Sequence, residues 1–175
     1  MKGWTSWEFL ELARNRYSER SFDSKKLDEK ELYKILEAGR IAPTACNYQP
    51  QRFYVLKSEE ALKKAASLTY TYNAPVVLLV CYVKSEAWHN PRDGFCSGDM
   101  DASIAASSMM FEAEDLGVHS IWLRGFDAGK VQEAFELPDG TVPSLMLALG
   151  YPSAKSAPHK LHTDREPIEE FVVEL

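Results

Sequence analysis

The chain has 175 residues, enough for one domain that buries about 70% of the surface its unfolded form exposes. Its 45% hydrophobic and 26% charged residues are an ordinary globular balance that argues against disorder. A formal net charge of −6 leaves no basic footprint for nucleic acid, the start over 1–8 has no apolar stretch of signal-peptide length, and no later run could span a bilayer.

Thr5-Ser6-Trp7-Glu8 has the form of a capping box, and Phe9, Leu10, Leu12 and Ala13 follow it. This predicts a first helix ending near Arg14. The stretch 14–26 is too charged to be core. Asp28-Glu29-Lys30-Glu31 then opens a second helix with Leu32, Ile35, Leu36 and Gly39 on its packing side. Residues 52–57 form a short strand around Phe53, Tyr54, Val55 and Leu56. The nearly unbroken apolar run 76–83 suits a central strand covered on both faces. The polar connection 84–98 is long for a plain loop, and long loops often act as lids or binding segments.

Asp99 or Asp101 caps a long helix through Ile104, Ala105, Met109, Phe111, Ala113 and Leu116, which Gly117 stops. A strand over 120–123 follows, and Asp127 starts a short helix to Phe135. Leu137-Pro138-Asp139-Gly140 breaks it, and 144–149 is the last core strand. After Gly150-Tyr151-Pro152 the composition turns polar before an apolar terminal segment that includes Ile168, Phe171, Val172, Val173 and Leu175. That segment needs a surface, on its own chain or on a partner subunit. With no internal repeat, the expected organisation is a single domain over 1–175 with 151–175 as a tail.

Arg16-Tyr17-Ser18-Glu19-Arg20 is the first candidate for chemistry. In an extended chain Arg16, Ser18 and Arg20 share one side, and two guanidiniums with a hydroxyl can grip a phosphate or a carbonyl-rich ring edge. The spacing fits a solvated loop as well. The second candidate, Pro43-Thr44-Ala45-Cys46-Asn47-Tyr48-Gln49-Pro50, has prolines that fix its backbone, small residues that let a flat ring approach, and Asn47 and Gln49 amides suited to a heterocycle's edge. A rigid turn without a ligand explains the same residues.

Together these segments resemble the FMN-dependent nitroreductase family, whose members open with Arg-x-Ser-x-(Arg/Lys) and continue with Pro-Ser-x-x-Asn-x-Gln-Pro before a strand. The likeness continues through Asp101-Ala102-Ser103-Ile104-Ala105-Ala106 and Glu114-Asp115-Leu116-Gly117, then Ile121-Trp122-Leu123-Arg124-Gly125-Phe126. It closes with Leu147-Ala148-Leu149-Gly150-Tyr151-Pro152 and Arg165-Glu166-Pro167-Ile168-Glu169-Glu170. It thus covers nearly the whole chain.

The resemblance implies an α+β fold, a mixed and largely antiparallel sheet flanked by helices, in an intertwined homodimer whose C-terminal tail reaches the partner. It implies tightly bound FMN, with NADH or NADPH as transient reductant. A nitroaromatic or quinone would be the small-molecule acceptor in a ping-pong cycle. Arg16 and Ser18 would hold the phosphate and ribityl chain with Tyr17 beside them, and Arg165 would complete the phosphate site. Arg20 would face the ring edge where reduction builds negative charge, the sign a cation stabilises. Pro43, Thr44, Ala45 and Asn47, with Gln49 beside them, would line the flavin from the partner subunit. Leu123, Arg124 and Gly125 would lie against the ring. The cofactor carries the redox chemistry, so no residue is assigned as catalytic. A flavin-storing or ligand-sensing protein, or an enzyme of reductive dehalogenation or flavin cleavage, is the alternative.

Some positions depart from the family. Gln51 stands where an aromatic is common. Arg124 puts a bulky cation before Gly125, which would favour an anionic substrate or pair with a nearby carboxylate, and the pair is the expectation. Cys46 fits a packed small side chain better than a nucleophile. The odd, widely spaced Cys46, Cys81 and Cys96 point to a reducing, cytoplasmic setting. His89, Cys96, Asp99 and Asp101 lack compact metal spacing, so no metal is expected. Without a Gly-x-Gly-x-x-Gly stretch, a nicotinamide would visit and leave.

Overall fold

The computed structural model describes residues 9–175, so the capping box at Thr5 to Glu8 lies outside the described residues. In chain order the elements are α1 (Phe9–Asn15), α2 (Glu29–Arg40), β1 (Gln51–Leu56), α3 (Glu59–Leu68), β2 (Val76–Val83), α4 (Gly98–Asp115), β3 (His119–Leu123), α5 (Ala128–Ala134) and β4 (Thr141–Gly150). The strands form one sheet in the order β1-β2-β4-β3, and every pairing is antiparallel. A single parallel bridge joins Ser18 to Ser120 at the β3 side. The fold is the expected α+β class.

Alternation along β2 makes two cores from one strand. Val76, Leu78, Val80 and Tyr82 face one side, where Ile35 of α2 and Ala102, Ala106 and Met109 of α4 join them. Val77, Leu79 and Cys81 face the other, against Ala65 of α3, Val131 of α5 and Met146 and Ala148 of β4. Each fully buried Leu or Val contributes about 1.5–3 kcal/mol, against at most about 1 kcal/mol for an exposed ion pair such as Lys63–Glu59. The β2–β4 strip therefore holds the molecule together. Burial also pushes the Cys81 thiol up to about 12, so it stays a neutral packing group.

Three local expectations change. α3 is a helix that the pattern reading left unassigned, although Ser58 caps it by accepting from Ala61 N at 3.2 Å and Leu62 and Ala65 pack inward. α4 starts at Gly98, so Asp99 and Asp101 sit inside its first turn. Asp101 is buried there and accepts from Ser97 Oγ at 2.7 Å and Ala45 N at 2.9 Å. β4 begins at Thr141 rather than 144 because a register shift opposite Val80 and Cys81 absorbs Pro143 into the strand. The α4 stop is as expected: Gly117 takes φ +72 and Val118 N donates to Ala113 O at 2.8 Å.

The 84–98 connection closes on itself. His89 and Cys96 form an antiparallel bridge, Asn90 N donates to Phe95 O at 2.8 Å and Ser97 N to Trp88 O at 2.9 Å. It is a hydrogen-bonded excursion that hands the chain to α4.

Gly98 sits against the Tyr82 ring, and a Cβ there would meet ring carbon Cδ2 at 2.1 Å. Gly98→Ala is expected to destabilise the protein by about 1–3 kcal/mol through overpacking, measured by urea unfolding. A change below about 0.5 kcal/mol, typical of surface positions, would contradict this packing.

Candidate functional site

After α1 the chain runs extended beside β3, and Glu19 N donates to Ser120 O at 2.9 Å. From Ser18 to Arg20 the side chains alternate as strand geometry demands, whereas Tyr17 lines the cleft along with its neighbours. Arg16, Ser18 and Arg20 line a cleft of about 340 Å³, while Glu19 turns inward and is only 1% exposed. The tail crosses in front of the same segment: Ser153 N donates to Ser21 O at 2.8 Å, and Phe22 bridges Pro152. This carries His159, Leu161, His162 and Arg165 to the far wall of the cleft, where Tyr17 also lies. Arg16, Tyr17, Ser18, Arg20 and Arg165 thus meet around one opening.

The cleft is cationic on an acidic chain. Three guanidiniums and two imidazoles line it, and no carboxylate does. Among the described residues Arg16, Arg20 and Arg165 form no ion pair; Arg20 and Arg165 donate only to backbone carbonyls. Arg16 Nε is buried with no hydrogen-bond partner among the described residues. Burial lowers its pKa most, Glu114 offsets that and Arg165 adds to the lowering. An anion supplies what this donor set lacks, and a phosphate matches the fork of a guanidinium. At about 340 Å³ the cleft is near the lower end of the ~300–1,000 Å³ range of small-molecule sites.

Behind the cleft sits a network that motif reading missed. Glu19 Oε1 accepts from Arg20 N at 2.9 Å and Ser21 N at 2.8 Å. Its Oε2 accepts from His119 Nδ1 at 2.9 Å and from Ser156 Oγ. Ser156 Oγ also pairs with Tyr17 OH at 2.6 Å, and the Tyr17 ring packs edge-on against His119 and His162. Glu114, in the last turn of α4, has a buried Oε2 with no partner among the described residues, and burial holds its carboxyl above the ordinary range although His119 and Arg16 pull the other way. The signal for Glu19 was present in the alternation from Ser18 to Arg20, although the same alternation does not hold at Tyr17, which lines the cleft.

The other predicted residues do not join this cleft within one chain. Pro43, Thr44, Ala45 and Asn47 lie on a turn that Asp101 ties to the start of α4, and Gln49 lines a separate groove of about 520 Å³ with Tyr33, Arg40 and Phe53. Cys46, Asn47 and Gln49 take φ of 51, 57 and 52. Cys46 is exposed, not the packed side chain expected. Leu123 is buried at the end of β3, and Arg124 and Gly125 are exposed just beyond it. Arg124 does not take the expected carboxylate partner among the described residues. It stacks over the Phe126 ring at 4.9 Å and donates to Phe126 O at 3.2 Å.

The sequence profile of the Nitroreductase family matches residues 13–71 and 65–151, the span that holds the sheet and the Arg16 to Arg20 wall of the cleft but not the tail. The chain belongs to the nitroreductase family. A nitroreductase family protein of Clostridium difficile 630 has a crystal structure that superposes with a TM-score of 0.91 at 38% identity, covering 95% of this chain and 98% of that one. A protein of Archaeoglobus fulgidus, provisionally named an NADH dehydrogenase/NAD(P)H nitroreductase, is 29% identical over 154 residues, 83% of this chain and 86% of its own. The structure of an oxidoreductase containing FMN matches at a TM-score of 0.70 and 28% identity, covering 82% of this nitroreductase family member and 77% of that chain.

Glu114 generates a pH prediction. Its folded pKa is raised above the ordinary 4.5, so above that pH the unfolded chain releases the proton first, and stability falls as pH rises through the folded value. Glu114→Gln lacks this titration. Urea midpoints measured against pH should show the wild type losing ground to the variant as pH rises from 4.5; parallel profiles would contradict the burial of this carboxyl.

Proposed function

We propose that this nitroreductase family member is an FMN-dependent oxidoreductase that uses NADH or NADPH to reduce a small acceptor, a nitroaromatic or a quinone, by a ping-pong cycle. The observation that carries the reading is the cationic cleft with its buried, unpartnered Arg16 Nε. The NAD(P)H nitroreductase name of the Archaeoglobus relative and the FMN of the structural relative support it.

When bound, FMN supplies the two-electron chemistry between nicotinamide and acceptor. Arg16, Ser18 and Arg165 would hold its phosphate end, with Tyr17 on the wall. Arg20 would place a positive charge at the ring edge and favour the reduced state electrostatically. Leu123 and Gly125 would give the ring an apolar and a small neighbour at the end of β3, with Arg124 an exposed cation at the mouth.

The ring needs further cover, and a second copy of this chain offers it. Pro43, Thr44, Ala45, Asn47 and Gln49 stand on an exposed turn away from the cleft, as they would if they served the partner's flavin. Met100 and Ile104 are exposed on α4, and Ile168, Phe171, Val172, Val173 and Leu175 are exposed in the tail. Apolar surface on this scale belongs to an interface, here an intertwined homodimer in which the tail embraces the partner. No helix among the described residues is long and apolar enough to cross a membrane.

The test is anaerobic stopped-flow on protein loaded with FMN. NADH or NADPH should bleach the flavin absorbance, and a quinone should restore it. A bound flavin that neither nicotinamide reduces would overturn the reductase and favour storage. The double variant Arg16→Ala, Arg20→Ala should weaken FMN by about 100-fold or more, since each charged hydrogen bond is worth about 1.5–3 kcal/mol. Unchanged affinity would remove these residues from the site.

A further inference from the structure

We propose that Glu19 is the positioning residue of the anion cleft: its inward carboxylate, clamped by His119 and Ser156, aims Ser18 and Arg20 at the cleft and locks the tail that carries Arg165 opposite Arg16. The proposal rests on the cleft holding the FMN phosphate, as set out above.

The geometry gives Glu19 a role no other residue in the site shares. Its carboxylate accepts hydrogen bonds from three separate parts of the chain. Arg20 N and Ser21 N come from its own segment at 2.9 and 2.8 Å, His119 Nδ1 from β3 at 2.9 Å, and Ser156 Oγ from the tail. A carboxylate only 1% exposed is costly to hide unless such partners surround it, so its burial and their positions are mutually dependent. Side chains in an extended segment alternate, and fixing Glu19 inward fixes its neighbours at 18 and 20 outward. The Arg20 peptide is pinned directly, through its N–H on Oε1.

The tail is the less secure wall of the cleft, because nearly all of residues 157–175 are exposed and no strand holds them. Ser156 fastens it from below, its hydroxyl between Glu19 and Tyr17 OH, and the Tyr17 ring that this hydroxyl holds packs in turn against His162. Arg165 lies nine residues further on, with its guanidinium satisfied only by tail carbonyls, so its distance from Arg16 is set by where the tail is fastened. Losing the Glu19 clamp would let both halves of the cationic set drift. A shift of the order of 1 Å in a binding group is enough to cost a large factor in affinity.

A positioning role differs from a merely stabilising one in what it does to ligand discrimination. FMN and riboflavin share the ring and ribityl chain and differ in the phosphate, so the ratio of their dissociation constants reports on the phosphate end alone. Both constants would be measured by flavin fluorescence quenching at a temperature where circular dichroism shows the wild type and each variant folded. Glu19→Gln should weaken FMN by about tenfold or more, the loss of one charge-assisted hydrogen bond, while riboflavin stays within about threefold. Ser156→Ala should shift the ratio in the same direction by less. His119→Ala should shift it too, whereas His119→Asn, whose amide can donate to the same oxygen, should restore it.

If Glu19→Gln does not fold, the Ser156→Ala and His119 pair carry the test without it. Variants with lowered unfolding midpoints but an unchanged FMN-to-riboflavin ratio would overturn the proposal and leave the FMN reading standing. A wild type that binds riboflavin as tightly as FMN would overturn both.

Discussion

A carboxylate hidden from water has to be surrounded by donors, and in this protein that requirement organises the whole site. Glu19 is buried beside Ser120, and its four hydrogen bonds draw in β3 through His119 and the tail through Ser156. The cationic residues gain their arrangement as the other side of that burial. On the proposed reading the guanidinium-rich face is maintained because the inward face is anchored, and the unfavourable charge of Arg165 on Arg16 is what a bound anion would relieve.

The rest of the fold supplies a rigid edge for this arrangement. β2 and β4 are buried on both faces, one against α2 and α4, the other against α3 and α5. β3 sits at the end of the sheet and has only β4 as a strand partner, so its free edge accepts the segment around Ser18. The same strand ends at Leu123 and delivers Arg124 and Gly125 to the surface. α4 contributes at both ends. Its first turn holds Ala45 through Asp101, and its last turn brings the Glu114 charge within reach of Arg16. A flavin shared between two copies would therefore be framed at both sides by elements packed on one core.

Much of this was legible in the sequence, for identifiable reasons. The apolar run 76–83 announces a doubly covered strand because every residue on it is apolar, and Asp28 and Asp127 announce helices because each caps its own. Alternation puts Arg16, Ser18 and Arg20 on one side but fits a solvated loop as well, and it was the family likeness that pointed to them and to Arg165 as a ligand site; the structure gathers all four around one cleft. α3 was lost because its polar surface hides a short inward stripe at Leu62 and Ala65. β4 was clipped because Pro143 argues against a strand unless a register shift is known. Glu19, His119 and Ser156 are separated by up to 137 positions, and no local pattern links groups that meet only through tertiary packing. Arg124 misled in a different way: a cation invites a carboxylate, and an aromatic ring with a carbonyl served instead.

The separation between the cleft and the 43–50 turn has one exposed consequence: on the proposed reading one chain supplies only one end of the ligand site. The measurement that bears on it most directly is a crystal structure of the protein with FMN bound. The account predicts the phosphate between Arg16 and Arg165 with Ser18 in contact, the ring edge at Arg20, and residues 43–47 of a second copy over the ring. A phosphate seated anywhere else, or a flavin enclosed by a single chain, would contradict it.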